Sequence, residues 1–309
     1  MTLSLLISPE ARGAYFADYL SVADAELRAC FPGVDVTHRA IGDLDFLDLA
    51  EGDPNALCRL SFVQGVFTRN GASLTPLAVS PDWALHRDFI FGSKFKGKTN
   101  ERLTQMLLNV GLAVIGKPAG DVTLLDPMCG RATTLLWAMA YGMRAFGIDE
   151  DKNALPDVMR NVRKWAKLTR AKHQIEQGFV AKKNKKGDGA FLDFRAGGTS
   201  MRLVQGDAVR APEIFRKRHF DLIVSDLPYG VQHTSGTSRN PLKTLKGCAM
   251  FWKTCLAEGG AVVLAFNRNN PKRKALEAVF ADAGWQIADF QAPHRMSESI
   301  VRDILIAGP

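Results

Sequence analysis

The segment FDLIVSDLPYG (220–230) ends a buried-looking apolar run with an acid, a proline, an aromatic residue and a glycine. The carboxylate of Asp226 and the ring of Tyr229 could contact a ligand where a strand ends. Pro228 and Gly230 are equally typical of a turn, because proline fixes φ and glycine adopts left-handed conformations. The segment alone therefore leaves two interpretations open, a ligand-contacting strand end or plain turn chemistry.

A second candidate segment, DPMCGRATT, spans residues 126–134 between a short apolar run and a helical pattern. Asp126 ends the run, and Gly130 lets the chain turn tightly beside a ligand. In an open α/β sheet, ligands bind at the carboxyl ends of the strands, where a helix N-terminus faces them. This segment therefore predicts a site for a nucleotide-like cofactor.

Two further acids end the next apolar runs. Asp149 lies 19 residues after Gly130, close to the spacing of about 20 at which an acid hydrogen-bonds ribose hydroxyls. Asp207 ends the run RLVQGD and could accept a hydrogen bond from an adenine amino group. Each acid could instead be a helix N-cap. Three acids at successive strand ends nevertheless favour the cofactor site.

The elements that would position these residues are short apolar runs alternating with segments of helical periodicity, as in parallel strands joined by crossover helices. The last runs, WQIADFQ and SIVRDILIA, predict a terminal antiparallel pair. The predicted fold class is α/β, a Rossmann-like sheet of seven strands that includes this pair, with a small N-terminal α+β domain. The internal strands are predicted at 122–126, 144–149, a run ending at 207, 220–226 and 261–267.

The four segments DPMCGRATTLL, GIDEDKNAL, QGDA and DLPYG, in this order, resemble the S-adenosylmethionine-dependent amino-group methyltransferases. The nearest resemblance is to the catalytic domain of the THUMP-associated tRNA guanine-N2 methyltransferases. Their first motif reads like DPxCGxGT, and their fourth reads like DLPYG or DPPYG. The resemblance covers the chain from about Lys94 to the C-terminus, and no THUMP motif is recognisable before it.

The resemblance implies that S-adenosylmethionine is the cofactor, with Asp149 at its ribose and Asp207 at its adenine. It also implies that Lys98 or Thr99 covers the cofactor carboxylate. The residues expected around the methionine part and its loop are Asp126, Pro127, Cys129 and Gly130.

The resemblance further implies that Asp226, Pro228 and Tyr229 hold the target base. Asp226 and the carbonyl of Leu227 would accept hydrogen bonds from an exocyclic amino group, and Tyr229 would stack on the base. Accepting those protons would keep the nitrogen lone pair aimed at the methyl group, so that orientation supplies much of the rate.

The first motif departs from the family pattern at two positions. Arg131 stands where the family has a small residue, and we expect it to point to solvent or to an RNA phosphate. Ala132 replaces the second glycine, which is tolerable unless this position needs a positive φ.

The predicted domains are residues 1–92, a small domain that is a candidate for RNA contact, and residues 93–309, the methyltransferase domain. A long segment at about 171–200 is predicted to be a solvated insertion in the second domain. Its basic run is either an RNA contact or a solubilising loop. The run contains Lys182, Lys183, Lys185 and Lys186.

Composition sets the remaining expectations. A formal charge of +8 and a pI near 9.3 suggest a polyanionic partner, with nucleic acid as the leading candidate. Five widely spaced cysteines without a CxxC pair suggest neither a disulfide framework nor a metal site, and they fit a reducing cytoplasm. No run approaches the roughly 18 apolar residues of a membrane helix.

The working hypothesis is an RNA methyltransferase that acts on an exocyclic base nitrogen, with guanine N2 of tRNA as the target. A DNA adenine or cytosine amino-methyltransferase and a protein glutamine methyltransferase remain alternatives, as does a non-catalytic cofactor-binding or RNA-binding module. Cysteine-dependent carbon methylation is disfavoured because no cysteine lies in or beside 226–230.

Overall fold

The structure is a computed structural model that describes residues 2–95, 98–180, 189–216, 218–227, 241–297 and 300–309. An antiparallel sheet forms within the first 76 residues, with strands β1 (Thr2–Ile7), β2 (Val36–Ile41), β3 (Leu44–Leu49), β4 (Val63–Asn70) and β5 (Ser73–Pro76). Their order is β2-β3-β1-β4-β5. The accompanying helices are α1 (Pro9–Tyr15), α2 (Tyr19–Cys30), α3 (Pro54–Leu57) and α4 (Asp88–Phe91), with a 3-10 turn at Phe16–Asp18.

The rest of the chain builds a large mixed sheet with helices on both faces. Its helices are α5 (Glu101–Ile115), α6 (Thr133–Ala140), α7 (Ala154–Leu168), α8 (Ala211–Ile214), α9 (Pro241–Cys255) and α10 (Arg273–Asp282), with 3-10 turns at Ala119–Asp121 and Ala208–Arg210. Its strands are β6 (Thr123–Asp126), β7 (Arg144–Asp149), β8 (His173–Phe179), β9 (Ala190–Ala196), β10 (Thr199–Gln205), β11 (Phe220–Asp226), β12 (Leu256–Asn267), β13 (Gln286–Ile287), β14 (His294–Arg295) and β15 (Val301–Gly308).

The strand order of this sheet is β13-β15-β12-β11-β6-β7-β10-β9-β8, and β14 also pairs with β15. The five central strands, from β10 to β12, are parallel to one another. The chain runs outward from β6 to one side and then returns to its other side at β11, which makes the carboxyl end of β6 the topological switch point. The predicted fold class is confirmed, including the antiparallel pairing of β13 with β15.

The segment at 171–200 differs from its prediction. We expected a solvated insertion, but β8 and β9 form an antiparallel hairpin that continues the sheet beyond β10. Val180 donates a backbone hydrogen bond to Gly189, and Gly189 donates one to Gln205 at the carboxyl end of β10 (2.8 and 3.0 Å). The predicted basic run, Lys182, Lys183, Lys185 and Lys186, lies outside the described residues.

Alternation along the central strands divides the core between the two faces of the sheet. Leu124 and Val263 belong to a cluster that continues into the N-terminal sheet, whereas Leu125 and Val262 pack in a second cluster with α9 and α10. Helix α5 joins the first cluster closely, because a Cβ at Gly111 would lie 3.2 Å from Leu222 and 3.3 Å from Val263. The predicted domain boundary near residue 92 stays a prediction.

Candidate active site

The carboxyl ends of β6, β7, β10 and β11 gather the predicted acids at one edge of the sheet. Asp126, Asp149 and Asp226 are the last residues of β6, β7 and β11, and Asp207 follows β10 by two positions. This arrangement follows from the parallel strands, since their carboxyl ends share one edge.

Asp149 organises the loop that follows β6. Its Oδ2 accepts a hydrogen bond from the backbone N–H of Gly130 (2.7 Å), and its Oδ1 accepts one from the N–H of Asp151 (2.9 Å). The N–H of Cys129 bonds to the carbonyl of Ile148 at 3.0 Å. The loop is therefore tied to the end of β7 through both backbone and side chain. A Cβ at Gly130 would meet nothing within 4 Å, so there is open space beside the loop.

Asp126 is buried and held by its neighbours. Its Oδ1 accepts hydrogen bonds from the hydroxyl of Ser225 (2.7 Å) and from the N–H of Met128 (3.1 Å). Burial raises the pKa of this carboxyl group from its ordinary 3.8 to about 7, against the lowering effect of hydrogen bonds from Thr134, Ser225 and Met128. Because Ser225 lies on β11, Asp126 braces the two strands on either side of the switch point. Pro127 is buried beside it.

Cys129 has a packing role in the same loop. Its side chain is buried, and burial raises the pKa of its thiol well above the ordinary value. A Cβ at Gly147 would lie 2.7 Å from the Cys129 Sγ, so glycine at 147 makes room for this side chain. A thiol of this kind is a poor nucleophile, since the reactive form is the thiolate.

Both departures in the first motif have structural explanations. Contrary to the expectation that Arg131 points to solvent or to RNA, its guanidinium pairs with Asp151 (2.6 Å) and with Asp157 on α7 (3.0 Å). Ala132 is fully buried and adopts φ +63°, the left-handed conformation in which glycine is favoured. Position 132 thus has the backbone of a glycine, at a conformational cost of roughly 1–2 kcal/mol for alanine.

Asp207 is exposed at the edge and caps the 3-10 turn that follows it. Its Oδ1 accepts a hydrogen bond from the N–H of Val209 (2.9 Å), which is the N-cap interaction considered from the sequence. A carboxylate has lone pairs for further donors, so capping leaves room for a ligand contact.

Asp226 lies between two side chains that the sequence does not place together. Its Oδ2 pairs with the guanidinium of Arg302 on β15 at 3.1 Å, and the hydroxyl of Thr99 faces the carboxyl group from the segment before α5. Burial raises the pKa of Asp226, and the charge of Arg302 and the Thr99 hydroxyl oppose this shift. Oδ1 is buried without a partner at normal hydrogen-bond distance among the described residues. Pro228 and Tyr229 lie outside the described residues.

The segment before α5 holds Lys98 and Thr99 in different surroundings. The Lys98 ammonium donates to the carbonyls of Ile90 and Ser93 and pairs with Glu101 at 2.6 Å. Lys98 therefore anchors the chain, and Thr99 is the member of the pair that faces the site. Asn100, a residue type that favours N-caps, caps α5, with its Oδ1 accepting from the N–H groups of Arg102 and Leu103.

Arg302 and Ser225 are the site residues that sequence reasoning missed. Arg302 carries a signal that could have revealed it, because a cation inside the apolar run SIVRDILIA must find a partner when it is buried. Ser225 carries none, since a serine in a strand is unremarkable.

A large sheet ordered in this way, with acids collected at the carboxyl edge around its switch point, has the arrangement of a Rossmann-like ligand-binding domain. The chain belongs to the UPF0020 family, the RMKL-like methyltransferase domain, whose model matches residues 105–292. The class of enzyme expected from the sequence is thereby confirmed.

Several solved structures resemble the chain at low identity. TrmN from Thermus thermophilus is 16% identical (TM-score 0.47, covering 89% of this chain), and this chain spans only 60% of its length. A methyltransferase from Pyrococcus furiosus is 16% identical, with a TM-score of 0.45 and coverage of 72% and 91%. Magnesium protoporphyrin IX methyltransferase from Synechocystis, solved with bound SAM, is 12% identical, with a TM-score of 0.42 and coverage of 72% and 88%.

No curated protein matches the sequence. The described residues contain no helix long and apolar enough to cross a bilayer. Within the same residues, no three His, Cys, Asp or Glu side chains are grouped as a metal site would require.

Proposed function

We propose that the protein transfers a methyl group from S-adenosylmethionine to an exocyclic nitrogen of an RNA base, with guanine N2 of tRNA as the target. The observation that carries this proposal is the carboxyl group of Asp226, whose buried Oδ1 has no hydrogen-bond partner among the described residues. A buried acceptor without a donor is costly. An amino group of a substrate base would supply the donor.

The residues present fit the cofactor. Open space lies beside Gly130, the carboxylate of Asp149 lies at the end of β7, and Asp207 is exposed after β10. We assign the ribose to Asp149, the adenine to Asp207, and the methionine part to the loop of Asp126, Pro127, Cys129 and Gly130, with Thr99 between this part and the base. S-Adenosylmethionine, when bound, supplies an activated methyl group.

In this reaction the chain itself orients the amino group of the base and accepts a proton from it. Oδ1 of Asp226 accepts an N–H of the amino group and so aims the nitrogen lone pair at the methyl carbon. As the new carbon–nitrogen bond forms, the carbon–sulfur bond breaks with its electrons going to sulfur. The nitrogen then loses a proton to the carboxylate or to water.

An RNA substrate is supported by the charge of the chain and by the surface of α7. Over 13 residues, this helix and the turn after it expose six cations. A cluster of exposed cations suits a polyanion, because each cation that neutralises a phosphate releases counterions and so favours binding. The exposed cations are Arg160, Arg163, Lys164, Lys167, Arg170 and Lys172. We also place the reaction in the cytoplasm, since all five cysteines are free.

The test is methylation of total RNA with labelled cofactor, followed by mass spectrometry of the nucleosides. We expect labelled N2-methylguanosine from the wild-type protein and none from the Asp226→Ala variant. Exclusive labelling of DNA or of a protein would refute the RNA assignment, and a different labelled nucleoside would refute only guanine N2.

A further inference from the structure

Arg302 reaches Asp226 from two strands away. In the register of the sheet, Asp226 lies beside Ala265 on β12, and Ala265 lies beside Ile304 on β15. Arg302 is two residues from Ile304, so its side chain is on the same face of the sheet. Strands are spaced by about 4.8 Å, so the guanidinium crosses roughly 10 Å over β12. The small side chain of Ala265 leaves the path open.

The contact gives the two carboxylate oxygens of Asp226 different surroundings. Oδ2 is hydrogen-bonded to Arg302 Nη2 at 3.1 Å, and the side chains are 12% and 5% exposed. Oδ1 is the oxygen without a partner among the described residues. A guanidinium donor bound to one oxygen fixes the rotamer of the carboxylate and therefore the direction of the other oxygen.

We propose that Arg302 is a positioning residue, which holds Asp226 through Oδ2 and presents the ionised Oδ1 to an amino group of the substrate. This inference rests on the proposed function, because Oδ1 must accept an N–H of the base. The ionised form matters, since a protonated carboxyl group gives up part of its capacity as an acceptor.

The titratable groups around the pair make the pH dependence interpretable. Arg302 and the hydroxyl of Thr99 face Asp226, and Tyr15 and His294 lie beside Arg302. Burial raises the pKa of Tyr15 and lowers that of His294, so both are neutral near pH 7. Asp126 is a second carboxyl group whose pKa is raised by burial, to about 7, and it is linked to β11 through Ser225.

A matched control variant separates a positioning role of Arg302 from a contribution to folding alone. Arg273 on α10 forms a comparable buried ion pair with Asp303, the residue that follows Arg302 on β15, at 2.8 Å. Arg273→Met removes a cation of the same kind without touching Asp226. Arg302→Met removes the cation that we assign to positioning, and Arg302→Lys retains the charge but loses the planar donor set.

The first experiment measures single-turnover methyl transfer against pH at saturating S-adenosylmethionine and RNA. In Arg302→Met we expect the acid limb of the profile to move to higher pH by about 1–3 units, the effect of one cation on a neighbouring carboxylate. The maximal rate should fall by up to about 100-fold, as for a misplaced group. In Arg302→Lys the midpoint of the acid limb should lie close to that of the wild type, and the maximal rate should recover less completely. In Arg273→Met the midpoint of the acid limb should not change.

The second experiment does not need turnover. Carbon-13 NMR of labelled aspartate carboxyl groups, with Asp226→Asn and Asp126→Asn used for assignment, reports the titration of Asp226 in the free protein. We expect its midpoint to rise in Arg302→Met and to stay constant in Arg273→Met. A wild-type protein that methylates no RNA would defeat the proposed function, whatever this titration shows. An active wild type whose Arg302→Met variant keeps the Asp226 midpoint and the acid limb would overturn the role of Arg302. Should Arg302→Met fail to fold, the same comparison is made with Arg302→Gln, which also removes the charge and keeps a polar side chain.

Discussion

The two sides of the candidate site differ in how their carboxyl groups are satisfied. On the side that we propose for the cofactor, Asp126 and Asp149 each accept at least two hydrogen bonds from the protein itself. On the side that we propose for the substrate, Asp226 has one oxygen paired with Arg302 and one buried oxygen without a partner at normal hydrogen-bond distance among the described residues. The protein itself therefore supplies donors to the carboxyl groups of the proposed cofactor side, whereas Asp226 keeps a buried acceptor oxygen for a donor of the substrate.

The largest expected effect comes from removing the carboxylate of Asp226. Asp226→Ala should lower the single-turnover rate at saturating cofactor and RNA by about 10²–10⁴-fold, the scale for a positioned proton acceptor. The affinity for S-adenosylmethionine should stay within a few-fold of wild type, because we place this carboxylate at the base and not at the cofactor. Rapid-quench kinetics and calorimetry measure the two quantities. A near-normal rate would leave DLPYG as a turn and remove the contrast between the two sides.

The burial of Asp126 should appear as a pH dependence of stability. Its folded-state pKa of about 7 lies above the unfolded value, so the folded protein retains a proton that the unfolded chain has released between about pH 4 and 7. Stability from this group is therefore present at low pH and is lost as the pH rises through 7. Asp126→Asn keeps an acceptor oxygen but does not titrate.

Relative to wild type, Asp126→Asn should gain up to about 4 kcal/mol of unfolding free energy between pH 4 and pH 7. Urea unfolding of both proteins across this range measures the difference. A constant difference would mean that Asp126 is ionised in the folded protein and that the brace between β6 and β11 is charged.

Asp149→Ala tests the cofactor side directly. The variant loses the acceptor for Gly130 and Asp151 as well as the proposed ribose contact, so cofactor binding should weaken by about 1–3 kcal/mol. The rate at saturating cofactor should recover to within a few-fold of wild type, in contrast to Asp226→Ala. Calorimetry showing wild-type affinity would take Asp149 out of the ligand site and leave it as a loop brace.

The smallest expected effect concerns RNA binding by α7. Replacing Arg163, Lys164 and Lys167 by alanine should reduce the slope of log affinity against log salt by up to about 2–3, at roughly 0.7–0.9 for each phosphate that is no longer neutralised. The rate at saturating RNA should not change. Replacing the exposed Lys272 and Lys274, which lie beside and in α10, is the control. Equal reductions per charge in both variants would indicate a general charge effect and no defined surface.

Much of this arrangement could be predicted from the sequence, because several of its elements are determined by local patterns. The run Phe220–Asp226 is strongly apolar, and its predicted bounds are those of β11. Parallel strands then bring Asp126, Asp149 and Asp226 to one edge without further information. The N-cap at Asn100 also depends only on the nearby sequence, because an N-cap side chain bonds residues two and three positions away.

The missed features depend on contacts that local patterns do not encode. The strand HQIEQGF of β8 has mostly exposed side chains, so its hydrophobic period is too weak to distinguish it from a loop. The pairing of Arg302 with Asp226 depends on the final strand inserting beside β12, which no spacing in the sequence reports. Ala132 was judged by its residue type, whereas its φ is set by the turn between β6 and α6.

The hairpin of β8 and β9 also determines how the sheet meets other molecules. It places at one edge a strand that exposes His173, Gln174, Glu176 and Gln177, and the opposite edge is closed by β13, which is only two residues long. Open edges of large sheets recruit further strands, and short or charged edges discourage this. The two-residue β13 is such a short edge, whereas the seven-residue β8, which also exposes Phe179, is the edge at which we expect a further strand to pair.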